Sequence, residues 1–140
     1  MAIQRALISS FSWLVMVLVV VVTPLRCRAD NVLYSGESLM SGQFLSWGNY
    51  KFIMQDDCNL VLYDRGNAIW SSNTSGRGSN CHLSQQRDGN LVVYKPDGTT
   101  ALWSSQTYVG GEGHYVLVLQ KDRKVVLYGG PRWAIDTYSP

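Results

Sequence analysis

The 140-residue chain is predicted to fold as an all-β domain built on a threefold repeat, and three observations carry that prediction. Its strand-like runs are short, rich in Val, Leu, Ile, Tyr and Trp, and punctuated by Gly, Asn, Asp and Ser. No ten-residue stretch beyond the leader keeps the 3.6-residue apolar period of a helix. A nine-residue pattern occurs three times: Q-D-D-C-N-L-V-L-Y at 55–63, Q-R-D-G-N-L-V-V-Y at 86–94 and Q-K-D-R-K-V-V-L-Y at 120–128. The copies start 31 and then 34 residues apart, the spacing expected of one supersecondary unit used several times.

Residues 1–29 read as a signal peptide. Arg5 supplies the positive start, 13–22 (W-L-V-M-V-L-V-V-V-V) the apolar stretch, and Cys27-Arg28-Ala29 a small-x-small cleavage site. A membrane helix needs about 20 apolar residues, so no membrane span is expected. The domain proper is then 30–140, one domain by length. It holds nine basic and ten acidic groups, a net charge of −1. Phosphate binding needs clustered Lys and Arg, so nucleic acid is not an expected partner. Cys27 leaves with the leader. Cys58 and Cys81 remain as an even pair in a secreted chain, which predicts one disulfide joining the first two repeats. Its loop of about 22 intervening residues is worth roughly 3 kcal/mol on the chain-entropy model.

Within each repeat the elements follow in a fixed order. An apolar run comes first, Phe52-Ile53-Met54 in the first copy and Tyr115-Val116-Leu117-Val118-Leu119 in the third; the second has the more polar Cys81-His82-Leu83-Ser84-Gln85. Asp88-Gly89 between strand-like segments is a strong hairpin signal, and Asp57-Cys58 and Asp122-Arg123 are expected to turn at the same place. The next strand is expected to start at Asn59, Asn90 or Lys124. Strand side chains alternate, so Asn59, Val61 and Tyr63 share one face while Leu60 and Leu62 share the other and enter the core. A tryptophan strand closes each unit, at Trp70, Trp103 and Trp133. Three units, each burying one face, would close around an interior filled by these tryptophans, with a shallow surface site on each.

The shared frame Q-x-D-x-N-x-V-x-Y carries the chemistry. A core needs no Gln, Asp and Asn at alternate positions, and a surface has no reason to repeat them. An ionised Asp accepts hydrogen bonds, amides both donate and accept, and Tyr offers one of each. Together with an aliphatic patch, this set suits a sugar's hydroxyls and its C–H face. Each such bond nets only about 0.5–1.5 kcal/mol against water, so a shallow one-sugar site is expected to be weak, on the order of millimolar.

These residues resemble the monocot bulb lectins, also called snowdrop-type mannose-binding lectins. The likeness covers the start D-N-V-L-Y-S-G-E-S-L, the stretch F-I-M-Q-D-D-C-N-L-V-L-Y, the three motifs, the tryptophan segments and the cysteine pair. It implies a type II β-prism, three four-stranded antiparallel sheets with pseudo-threefold symmetry, that binds α-D-mannose and oligomannose glycans without metal or other cofactor. In the family the motif Asp and Asn bond the 2-hydroxyl, Gln the 3-hydroxyl and Tyr the 4-hydroxyl, while Val packs on the ring carbons. Those roles transfer to Gln55, Asp57, Asn59, Val61 and Tyr63, and to Gln86, Asp88, Asn90, Val92 and Tyr94. The third copy keeps Gln120, Asp122, Val126 and Tyr128 but has Lys124 for Asn, which predicts two working sites and one impaired site. The family's habit of pairing by C-terminal strand exchange implies a homodimer or homotetramer, although the ending A-I-D-T-Y-S-P departs from the small, Gly-containing ending of that exchange.

Three further expectations complete the reading. No paired carboxylates, no G-x-S-x-G and only two isolated histidines, His82 and His114, are found, so an enzyme is not expected; neither is a zinc or calcium site. Asn73-Thr74-Ser75 is an N-glycosylation sequon. The leader directs the product to the secretory pathway, extracellular or vacuolar, where a defence role against foreign glycans fits. The competing use of such a fold, as a storage or taste-modifying protein without sugar binding, is disfavoured by two intact motifs.

Overall fold

The structure, a computed structural model, describes residues 31–129 and the course of one further strand at 133–135; the leader and its cleavage site lie outside the described residues. Twelve strands follow one another: β1 (Val32–Tyr34), β2 (Ser38–Met40), β3 (Phe44–Trp47), β4 (Tyr50–Met54), β5 (Leu60–Asp64), β6 (Asn67–Ser71), β7 (His82–Gln85), β8 (Leu91–Tyr94), β9 (Ala101–Ser104), β10 (Val116–Leu119), β11 (Val125–Tyr128) and β12 (Trp133–Ile135). They form three four-stranded sheets in the orders β1-β10-β11-β12, β2-β7-β8-β9 and β3-β4-β5-β6. All pairings are antiparallel, as in a type II β-prism.

Each repeat supplies three consecutive strands of one sheet. The fourth comes from the segment ahead of the first motif, which deals β1, β2 and β3 to three different sheets. Turns at Ser35-Gly36 and Ser41-Gly42 make the transfers, with Gly36 and Gly42 at φ of 85° and 80°. Each dealt strand locks onto its new sheet through the backbone: Leu119 N–H donates to Asn31 O at 2.8 Å, Gln85 N–H to Glu37 O at 3.0 Å and Met54 N–H to Gln43 O at 3.1 Å.

Alternation then builds the interior. Leu33, Leu39 and Leu45 from the dealt strands meet Phe52, Leu60, Leu62, Leu83, Leu91, Leu117 and Leu127 from the repeats, all buried in one cluster. Burying each such side chain contributes roughly 1.5–3 kcal/mol. Trp70 and Trp103, expected to fill this interior, are partly buried; they pack against the cluster and meet each other edge to face at 5.6 Å from two different sheets, with the buried Phe52 ring 6.2 Å from Trp70. Both stand on edge strands, β6 and β9. The side chain of Trp133 lies outside the described residues.

The motif turns are also one residue longer than a two-residue hairpin. Gln55 N–H donates to Asn59 O and Cys58 N–H to Gln55 O, leaving a three-residue loop whose last member is left-handed. The same position has φ of 68° at Cys58, 82° at Gly89 and 69° at Arg123. This is a turn followed by a bulge, and it delays the next strand to Leu60, Leu91 and Val125.

That third loop residue ties each sheet to the next. Cys58 forms the expected disulfide with Cys81, which enters β7. Gly89 lies against the Tyr115 ring ahead of β10, so closely that an added Cβ would stand 2.9 Å from it. Arg123 Nη1 lies 3.5 Å from Asp64 Oδ2 at the end of β5. A covalent bond, a packing contact and an ion pair thus close the three-sheet ring.

Candidate functional site

The three turns place the motif residues in one repeated geometry on the outer face of each sheet. The motif Asp folds back on its own loop: Asp57 Oδ1 accepts from Asn59 N–H at 3.0 Å, Asp88 Oδ1 from Asn90 N–H at 2.9 Å and Asp122 Oδ1 from Lys124 N–H at 3.3 Å. This fixes one oxygen of each carboxylate on its own loop. Across the hairpin, Gln55 Nε2 donates to Tyr63 Oη at 2.6 Å and Gln86 Nε2 to Tyr94 Oη at 2.9 Å; Gln120 Nε2 and Tyr128 Oη pair in the same way. Each phenol, accepting from the amide, keeps its own proton to donate.

The motif Asn has a second task. Asn59 Oδ1 accepts from Ser72 Oγ and from Thr74 N–H, both at 3.2 Å. Asn90 Oδ1 accepts from Ser104 Oγ at 3.1 Å, Ser105 Oγ at 3.2 Å and Thr107 N–H at 3.3 Å. With its oxygen spent inward, each Asn presents an NH2 donor outward. Ser72 and Ser105 accept from Leu60 N–H and Leu91 N–H at 2.9 and 3.0 Å, while Thr74 and Thr107 donate to Cys58 O and Gly89 O at 2.6 Å. The chain leaving the tryptophan strand is thereby clamped onto the turn.

The valines form the floor rather than an open patch: Val61 and Val92 are 2% and 3% exposed, and Val126 is 8% exposed. The result is a shallow depression with a carboxylate oxygen, an amide oxygen, an NH2 and a phenol around a methyl floor. Adjacent hydroxyls that each donate and accept can satisfy that set; a single anion or cation cannot.

The copies are not equal. In the first, Ser75 Oγ donates to Asp57 Oδ2 at 2.6 Å, so this carboxylate is braced on both oxygens. In the third, Lys124 replaces Asn, and the strand register puts Ile135 opposite Val125, where Ser72 follows the partner of Val61 in the first copy. An isoleucine has no hydroxyl, so neither the Asn acceptor nor the Ser hydroxyl of the clamp has a counterpart in the third repeat; Thr137, the counterpart of Thr74, lies outside the described residues. The motif reading does not anticipate Ser72, Thr74, Ser105 or Thr107. Their signal is the repeated W-S-S-x-T after each of the first two motifs, which becomes W-A-I-D-T in the third. Asn73 of the sequon is exposed at the foot of this clamp, with φ of 56°.

No protein-family model matches the chain. A mannose-specific lectin of Aloe arborescens is 51% identical over 108 residues, 77% of this chain and 98% of the relative. The chain belongs to the monocot mannose-specific lectins. Among solved structures, the mannose-specific agglutinin of snowdrop (Galanthus nivalis) bulbs in complex with methyl-α-D-mannoside is 55% identical; the match covers 79% of this chain and all of that one, with a TM-score of 0.69. A monomeric mannose-binding lectin of Gastrodia elata is 50% identical over 75% of this chain and 96% of its own, with a TM-score of 0.71. As a monocot lectin, the chain carries two motifs with the Gln–Tyr bond, the braced Asp and the Asn clamp, and one motif that keeps the first two features and lacks the third.

Proposed function

We propose that this lectin binds α-D-mannose and oligomannose glycans, without metal or cofactor, at Gln55, Asp57, Asn59, Val61 and Tyr63 and at Gln86, Asp88, Asn90, Val92 and Tyr94. The observation that carries the reading is the duplicated Asn clamp. In both copies it turns an amide NH2 outward beside the Asp carboxylate and the Gln–Tyr pair. The acceptors and donors then come wholly from side chains, and a bridging cation has no part in the scheme. Gln120, Asp122, Lys124, Val126 and Tyr128 form a third, weaker site, because Lys offers no acceptor to bond the following loop as the Asn59 and Asn90 side-chain oxygens do.

The protein acts by binding and not by catalysis. A one-sugar site of this kind sits on the order of millimolar, about −4 kcal/mol, and useful strength comes from several sites engaging one surface. Two sites per chain make even a monomer bivalent, and assembly into a homodimer or homotetramer multiplies the effect. Such a binder responds to dense oligomannose arrays and not to isolated sugars, which fits a secreted plant-defence protein. The Cys58–Cys81 disulfide supports passage through an oxidising compartment.

Retention on mannose–agarose in the presence of a chelator tests the reading. Elution by mannose and not by galactose is the expected result. Passage through the column unretained, or retention that appears only on adding calcium, overturns it.

A further inference from the structure

Trp47 is 47% exposed at the end of β3, and it stands beside the third motif, not the first. With Val118, Gln120, Lys121, Asp122 and Asn31 it lines a cleft of about 350 Å3. Gln120 and Asp122 belong to the third motif, so the cleft adjoins the third depression along the β10 side. Its size falls in the usual range for a small-molecule site, about 300–1,000 Å3. The Arg123–Asp64 ion pair and the third turn's own hydrogen bonds hold this loop against the end of the sheet that carries Trp47, so the cleft is formed without a ligand.

The corresponding hollow beside the second motif is different. It holds about 490 Å3 and is lined by Ser35, Arg87, Glu112, Gly113 and His114, with no tryptophan and no aliphatic side chain. Arg87 and Lys121 occupy the same place in their motifs. The aromatic wall thus stands beside the third copy, the one that lost the amide, and not beside the second. An exposed indole opposite a valine gives two apolar walls. Lys121 and Asp122 at one end supply a donor and an acceptor, the combination that takes a sugar ring by its C–H face and its hydroxyls.

Building on the mannose-binding reading, we propose that the Trp47 cleft is a second sugar subsite. It takes the next ring of an α-linked oligomannoside whose first ring lies in the third motif. The third site is then poor for a single mannose and selective for at least two linked rings. The second site, with no such wall beside it, ranks those ligands by the first ring alone.

The test uses the full protein carrying Asp57→Ala and Asp88→Ala, which leaves the third motif and its cleft. Nuclear magnetic resonance follows the indole N–H of Trp47, assigned by its loss in Trp47→Phe, during titration with methyl α-mannoside and with an α-linked mannobiose. The mannobiose is expected to shift this resonance and to bind roughly tenfold more tightly than the monosaccharide, the gain from covering one apolar ring face. Trp47→Ala is expected to bring the two ligands to equality, and Trp47→Phe to recover part of the difference. An unmoved Trp47 resonance, or equal affinities with Trp47 present, overturns the subsite. Failure of the underlying reading shows separately, as loss of methyl α-mannoside binding by the unmodified protein.

Discussion

Asn59 holds the backbone of Thr74, 15 residues further along the chain, through a 3.2 Å bond from the Thr74 N–H to the Asn59 side-chain oxygen. A residue of the proposed sugar site is thus also the peg that fixes the following loop. In the first two repeats one side chain serves both the proposed recognition and local folding, and the third repeat has Lys124 in its place.

Removing the clamp from behind should therefore weaken binding without touching the binding surface. Ser72 is 8% exposed, and its hydroxyl serves Leu60 N–H, Thr74 and Asn59 at once. Ser72→Ala leaves a buried N–H unsatisfied and is expected to cost about 1–3 kcal/mol of stability. Urea denaturation measures that loss, and calorimetry should show the first site weakened while the second keeps its affinity.

The first two sites should be separable. Asp57→Ala and Asp88→Ala each remove one braced acceptor, so each single variant should lose one of two methyl α-mannoside sites in a calorimetric titration, and the double variant most retention on mannose–agarose. Undiminished retention in the double variant would place sugar binding elsewhere on the prism.

Lys124→Asn alone should restore the third site only in part, because Asn needs a hydroxyl to bond and Ile135 has none. Adding Ile135→Ser supplies it. Titration with methyl α-mannoside is expected to show a weak gain for the single change and a third site comparable to the others for the pair. Full recovery from Lys124→Asn alone would show that the clamp is dispensable.

Gln85 is fully buried, and neither its Oε1 nor its Nε2 has a partner among the described residues. The equivalent places in the other sheets are Met54 and Leu119, both also fully buried. Gln85→Met matches Met54 in shape and removes two unsatisfied polar atoms, so it should raise stability by about 1–3 kcal/mol. A higher urea midpoint with unchanged sugar affinity is the expected outcome.

Asp97 titrates low, at about 2, because the Thr100 hydroxyl and then the Thr100 and Thr99 backbone N–H groups donate to its carboxylate. A depressed carboxylate stabilises its turn above the ordinary value of 3.8, and that contribution is lost as pH falls toward 2. A carbon-detected titration should place its midpoint well below the ordinary 3.8, and Thr100→Val should raise it.

The repeated nine-residue motif and the alternation of apolar side chains were enough to determine the strand type, the buried leucines, the place though not the length of the turns, and the five residues that gather in each repeat, because each depends on neighbours within one hairpin. The cysteine pair was equally readable, as the two cysteines beyond the expected leader. What the tertiary structure decided is everything that joins one repeat to another. The segment 31–47 carries a short repeat of six residues, S-G-E-S-L at 35–39 and S-G-Q-F-L at 41–45, but nothing local in it says that each unit joins a different sheet. That Trp70 and Trp103 meet edge to face from two different sheets is a fact of sheet order and not of local sequence. The clamp from Asn59 to Thr74 and from Asn90 to Thr107 spans 15 and 17 residues, and the Trp47 cleft brings together residues more than 70 positions apart. Contacts at such separations leave no periodic trace in the chain. They form because three sheets, each with one face to bury, can do so only against one another, and their closure sets which loop ends meet.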